Sequence, residues 1–129
     1  MHLSLPAWVE AFLAEDYLCT FTTLRPDGTP HVAPVRFTWD GDASLVRIMT
    51  VATRRKTRNI LARPGCVVAV CQTAGPRWIT LEGTATVSAD PDRVSEGVRR
   101  YAKRYFSAPP QPPGLVVIEV EVARVMGLC

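Results

Sequence analysis

Four cationic side chains, Arg54, Arg55, Lys56 and Arg58, fall within five positions of the stretch VATRRKTRN (51–59), directly after an apolar, strand-like run. Charge at that density is chemistry for holding an anion. If a helix starts near Thr53, its first turn contains Arg54, Arg55 and Lys56, where the macrodipole disfavours cations and free N–H groups attract anions. One phosphate seated there would be held by dipole, backbone and side chains together. Successive helical residues differ by about 100° in direction, so Arg54 and Arg58 share a face while Arg55 and Lys56 point elsewhere. The four therefore cannot all grip one phosphate. Two other readings stand beside this one: a solvated, arginine-rich surface, and a nucleic-acid patch extended by Arg93, Arg99, Arg100, Lys103 and Arg104 further along. A net charge of only +3, with Asp90, Asp92 and Glu96 among those later cations, weighs against nucleic acid.

Other residue types offer less. His2 and His31 are the only histidines, which excludes a His-based metal cluster, and no serine sits in a nucleophile-elbow pattern. Cys19, Cys66, Cys71 and Cys129 lie in apolar runs or at the last position, without the close pairing that zinc or a redox dithiol needs, and read as reduced structural thiols. Glu119 and Glu121 alternate on one strand face and are expected to meet solvent, while Glu82 is placed to pair with an arginine. An enzyme built from these residues would leave the reaction to a bound cofactor.

The elements that must position these groups are legible from periodicity and turn chemistry. A chain of 129 residues, 47% hydrophobic, is the size of one domain, expected to span 1–129. No apolar run approaches the roughly 18 residues of a membrane span, and the first residues carry acids rather than a basic leader, so a cytoplasmic protein is expected. Trp8, Val9, Phe12 and Leu13 recur at helical spacing between Pro6 and Glu15. Strands are expected at 17–24 and 30–39, joined by the turn Arg25-Pro26-Asp27-Gly28, and again at 44–51. A short helix over 54–63 ends at Pro64-Gly65. The apolar run CVVAVCQ (66–72) reads as a central strand buried on both faces. Residues 77–87 form a strand in which Gly83 marks a bulge or corner. Asp90 caps a third helix with Pro91 in its first turn and Val94, Val98, Tyr101 and Tyr105 on one stripe. The proline-rich SAPPQPPG (107–114) is expected as an extended surface crossing before a last strand over 115–125. Six strands and three helices, most strands joined by tight turns, predict a mostly β fold: a six-stranded antiparallel barrel with short flanking helices.

Four strings in this order, TTLRPDGTPHVAPVRF, RRKTRNILARPG, QTAGPRWITLEGTATV and VVIEVEVARVMG, resemble the pyridoxamine-phosphate-oxidase-like, FMN-binding split β-barrel family. They are most similar to its deazaflavin branch, which uses coenzyme F420, and within it to small members that resemble biliverdin reductases. The likeness covers nearly the whole chain, although nothing in it points to pyridoxamine phosphate oxidase activity itself. It implies a homodimer with cofactor at the interface, a phosphate against Thr50, Arg54, Arg55 and Lys56, and a cofactor ring along Ala33, Pro34, Val35 and Arg36. Gln72 and Trp78 match positions near that site, and His31, Arg36 and Arg77 are candidate contacts for an acidic substrate. The implied reaction is hydride transfer from reduced F420 to a conjugated acceptor such as biliverdin, with no membrane or nucleic-acid partner. FMN carries the same ribityl phosphate, and an FMN-dependent oxidoreductase or a cofactor- or tetrapyrrole-binding module without activity are the alternatives.

Overall fold

Alternation of apolar and polar side chains sets most of the strands. The computed structural model describes residues 3–128, so His2 and Cys129 lie outside the described residues. Helix α1 (Ala7–Ala14) is followed by strands β1 (Cys19–Leu24), β2 (Pro30–Val35), β3 (Thr38–Asp40) and β4 (Leu45–Val51). Next come helix α2 (Arg55–Ala62), strands β5 (Cys66–Ala74) and β6 (Arg77–Ser88), helix α3 (Pro91–Tyr105) and strand β7 (Leu115–Leu128). One antiparallel sheet holds all seven strands in the order β2-β1-β5-β6-β7-β4-β3.

Seven strands replace the expected six because the run over 30–39 breaks at Arg36 and Phe37. Its first part pairs with β1 and its second with β4, at opposite edges of the sheet. Pro30 and Pro34 lack the N–H that a second neighbour would need, which suits β2 to an edge. Phe37 turns inward and is buried. A two-residue link spans only about 10 Å, so the sheet curls until its two edges approach one another. Among the described residues no ladder joins β2 to β3.

The strand buried on both faces is β7, where residues 116–120 are all buried, and not β5, whose side chains alternate. Burial on both faces follows position: β7 lies between β6 and β4 and is covered by α3, whereas β5 leaves one face uncovered. Glu119 is accordingly buried rather than solvent-facing, and its carboxylate meets Arg93 of α3. Glu121 stays exposed. The bulge falls where the glycine foretold it. The β6/β7 register slips between Glu82 and Gly83, and a Cβ at Gly83 would collide with the carbonyl oxygen of Glu121.

Phe21, Phe37, Leu13, Ile48, Ile79 and Ile118 are among the largest apolar side chains of the core. Helix α3 settles closely on β4 at Gly97, where an added Cβ would stand 2.5 Å from the Met49 sulfur. That approach brings the later turns of α3 alongside the link between β2 and β3. Asp90 accepts a hydrogen bond from Arg93 N at 3.3 Å and so starts α3 as its type predicts.

Candidate functional site

A cleft of about 370 Å³ opens between the end of β2, the middle of β4 and the start of α2, with Tyr101 of α3 on one side. Its floor is apolar, from Val35, Ile48, Met49 and Leu115. The proline-rich segment that sequence alone makes a surface crossing packs along it: Pro109, Pro110 and Pro112 form a wall, and Pro109 is buried.

One end of the cleft is cationic. Helix α2 starts one residue later than expected, with Arg54 as its N-cap in extended conformation (φ −68°, ψ 147°). No side chain caps it and no acid stands in its first turn, so the dipole and the first-turn N–H groups that a capping side chain commonly satisfies remain available to a ligand. Arg54 and Lys56 both line the cleft there. Burial pushes the Lys56 ammonium below its ordinary pKa, and neighbouring Arg54 adds to the effect. Among the described residues no carboxylate forms an ion pair with either. An anion of phosphate type fits this end, because it would relieve a half-buried cation and occupy uncapped amides at once. Thr50 contributes a hydroxyl to the same wall and receives a 3.4 Å hydrogen bond from Thr57 Oγ1. Thr57, wholly buried, ties α2 to β4 through this contact, while the helix packs on β6 and β1. A polar residue between Lys56 and Arg58 in the basic run gave no signal of that role.

Pro34, Val35, Arg36, Thr50, Arg54 and Lys56 thus line one cleft. Ala33 precedes them on β2, and Arg58 stays on the outer surface of α2. Arg55 faces the other flank, where its charge and those of Arg25 and Lys56 bear on His31. The His31 Nδ1 atom is buried there without a hydrogen-bond partner. Burial first, and then these three cations, hold its imidazole below the ordinary pKa of 6.5. Asn59 is buried rather than a helix-surface residue, donating to Thr23 Oγ1 at 2.9 Å.

Three expected residues lie elsewhere. Gln72 is fully buried, its Nε2 donating to Phe12 O at 2.7 Å and its Oε1 accepting from Arg104 Nη2 at 2.8 Å. Both ends of the amide are used, so within this chain Gln72 is a strut between α1, β5 and α3 and does not line the cleft. Arg104 completes the strut by donating to the carbonyls of Phe37 and Glu15. Arg77 pairs with Glu15 at 3.2 Å and stacks over Phe12 and Tyr17, away from the cleft. Trp78, half-buried opposite Thr73 at the start of β6, does not line the cleft either. Residues on β5 and β6 look adjacent to the site only when the curl of the sheet is ignored.

The signals missed in the sequence are Tyr101 and the prolines. Tyr101 belongs to the stripe expected to be core, yet its hydroxyl accepts a 2.9 Å hydrogen bond from Arg36 Nη1 at the cleft. The basic face of α3 is also less free than its composition suggests. Arg93 pairs with Glu119, Arg99 with Glu96, and Arg100 with Glu96 and Asp40. Hydrogen bonds from Arg99 and then Arg100 pull the Glu96 carboxyl down to about 2. With those charges spent internally, little basic surface is left to track a nucleic-acid backbone. Among the described residues no group of three or more His, Cys, Asp or Glu could hold a metal ion, and no helix is long and apolar enough to cross a membrane.

Comparison with known proteins places this geometry. The F420H(2)-dependent biliverdin reductase of Mycobacterium tuberculosis (strain CDC 1551 / Oshkosh) is 44% identical over 117 residues, 91% of this chain and 83% of its own. A solved structure described as an F420 reductase superposes with a TM-score of 0.75 at 28% identity, covering 95% of this chain and 98% of that one. A conserved hypothetical protein of M. tuberculosis shares the fold with a TM-score of 0.81 at 19% identity, over 98% of this chain and 85% of its own. The family model described as pyridoxamine 5'-phosphate oxidase matches residues 5–129. A seven-stranded antiparallel sheet, three helices and a match of that length lead to one assignment: the chain belongs to the pyridoxamine 5'-phosphate oxidase family.

Proposed function

We propose that this chain is a coenzyme F420-dependent reductase that delivers a hydride to a conjugated acceptor, with biliverdin as the first candidate. The observation that carries the reading is the uncapped, cationic start of α2 opening onto an apolar cleft. The relative named as an F420H(2)-dependent biliverdin reductase, at 44% identity, points the same way. In this reading residues 1–129 form one cofactor-binding unit, a split barrel made by the curled sheet, and two copies associate with a cofactor site at their interface. Arg54 and Lys56 hold the phosphate with the Thr50 hydroxyl, and Arg55 draws anionic groups from the flank. Ala33, Pro34 and Val35 lie along the ring, while Trp78 serves the partner's site.

When bound, the reduced deazaflavin supplies the hydride. The protein's own residues bind, orient and exclude water: the cations fix one end, and the apolar floor and proline wall keep the reacting region dry. Free thiols at Cys19, Cys66 and Cys71 support a reducing, cytoplasmic setting.

The test is to mix the purified protein with reduced F420 and biliverdin and follow the bilin absorption band. Loss of the band is expected, and binding without turnover would defeat the enzyme reading. FMN is the second reading, because the same α2 start suits any ribityl phosphate; a yellow, flavin-fluorescent preparation that binds FMN more tightly than F420 would favour it.

A further inference from the structure

The end of the cleft opposite α2 is built around an arginine immobilised by aromatic side chains, with the Asp16 carboxylate acting on it from beyond ion-pair distance. Arg36 is exposed, on the two-residue link between β2 and β3. An exposed arginine ordinarily keeps its rotamer freedom. Here Nη1 donates to Tyr101 Oη at 2.9 Å, and the guanidinium lies 4.8 Å from the Tyr105 ring centroid and 5.8 Å from that of Tyr101. The two rings pack 4.9 Å apart. Tyr105 is pinned in turn, its hydroxyl donating to Phe37 O at 2.9 Å and accepting from Phe37 N at 3.1 Å. Most of the guanidinium's N–H donors remain unused in this arrangement.

Five other arginines of this fold are held by acids. Arg47 and Arg100 share Asp40, Arg77 meets Glu15, Arg93 meets Glu119 and Arg99 meets Glu96. Among the described residues no carboxylate forms an ion pair with Arg36. Its open donors border an apolar floor and a wall of flat, rigid prolines, a surface that suits a planar ligand. A fork-shaped cation held in place beside such a surface has the geometry for a carboxylate.

We propose that Arg36, pre-positioned by Tyr101 and Tyr105, is a receptor for a carboxylate of the acceptor, and that it selects acidic planar acceptors over neutral ones. The proposal rests on the reductase reading and narrows it to a substrate class. It also assigns the cleft two distinct anion-holding ends: Arg54 and Lys56 for the cofactor, Arg36 for the acceptor. Tyr101 acts as a positioning residue, because it reaches the acceptor through Arg36.

The experiment compares equilibrium binding of biliverdin and of biliverdin dimethyl ester, read from the bilin visible spectrum without coenzyme, in wild type, Arg36→Gln and Tyr101→Phe. Wild type should favour the diacid by about tenfold or more, since a charge-assisted bidentate contact is lost in the ester. Arg36→Gln should bring the two ligands to within about twofold while F420 affinity, titrated separately by fluorescence, stays within about threefold. Tyr101→Phe should reduce the preference partway, and Arg36→Lys should restore part of it. Equal binding of diacid and ester by wild type, or a preference that survives in Arg36→Gln, overturns the proposal. So does a variant in which F420 affinity falls and bilin discrimination persists, which would assign Arg36 to the coenzyme. Intact discrimination without turnover by reduced F420 would sink the reductase reading alone, whereas turnover without discrimination would sink only this proposal.

Discussion

Lys56 shows how a residue's neighbours decide its use. Burial and Arg54 make its charged form costly in the absence of a ligand, so a phosphate beside it recovers that cost as well as adding a charge-assisted contact. Lys56→Ala should weaken F420 binding by about 10- to 100-fold, the equivalent of roughly 1.5–3 kcal/mol, in a fluorescence titration. Arg58→Ala, on the outer face of α2, should leave that affinity unchanged. His31 carries the opposite kind of information. Its imidazole is held below 6.5 by burial and by Arg25, Lys56 and Arg55, so between the folded and ordinary pKa values the unfolded chain binds more protons. Stability linked to His31 is therefore complete above about pH 6.5 and declines as pH falls through the lowered folded value. Denaturant melts from pH 7.5 to 5 should show this decline, and His31→Gln should flatten it; parallel slopes in the two proteins would remove His31 as the cause.

At the level of elements, the strut of Gln72 and Arg104 links α1, β5, α3 and the β2–β3 link. Its carbonyl acceptors are Phe12 and Glu15 at the end of α1 and Phe37 on the β2–β3 link. Replacing Gln72 by leucine leaves Phe12 O and part of Arg104 without partners in a buried setting, which costs about 1–3 kcal/mol. Chemical denaturation of Gln72→Leu should show that loss with F420 affinity retained, and Gln72→Leu with Arg104→Met should cost less than the two singles combined. A loss of coenzyme affinity with full stability would return Gln72 to the cofactor. The strut also explains the length of α3. Fifteen residues carry the helix from its Asp90 cap to Tyr105, far enough for Tyr101 and Tyr105 to reach Arg36.

For the whole molecule, the uncovered face of the sheet is the feature without a role in a lone chain. Leu24, Val32 and Val67 stand 45%, 58% and 65% exposed on β1, β2 and β5, and the ladder places Thr22 between Val32 and Ala69 on that face. Apolar side chains gathered in this way suit a second copy of the chain, and they continue through Pro34 to the rim of the cleft. Val32→Asp with Val67→Asp should convert a dimer into a monomer by light scattering and lower F420 affinity with it. Dimers that persist with both aspartates would place the contact on another face.

Much of this protein is determined locally and can be read in its sequence. Turn residues and hydrophobic period locate the three helices and nearly every strand, Asp90 announces its helix, Gly83 its bulge, and the four cations their need for an anion. Those features depend on residues within a few positions of one another, where backbone sterics and helix electrostatics act. What the tertiary structure decided depends on residues far apart. The run over 30–39 divides because its halves find partners at opposite sheet edges, and β7 rather than β5 is enclosed because α3 covers it. Gln72 disappears into the core because Arg104, 32 positions away, reaches its amide. Tyr101 and the proline segment become cleft walls because α3 and the chain after it lie across the curled sheet. Burial and long-range hydrogen bonding have no period in the sequence, so the cationic end of the cleft was legible beforehand and the Arg36 end was completed only by folding.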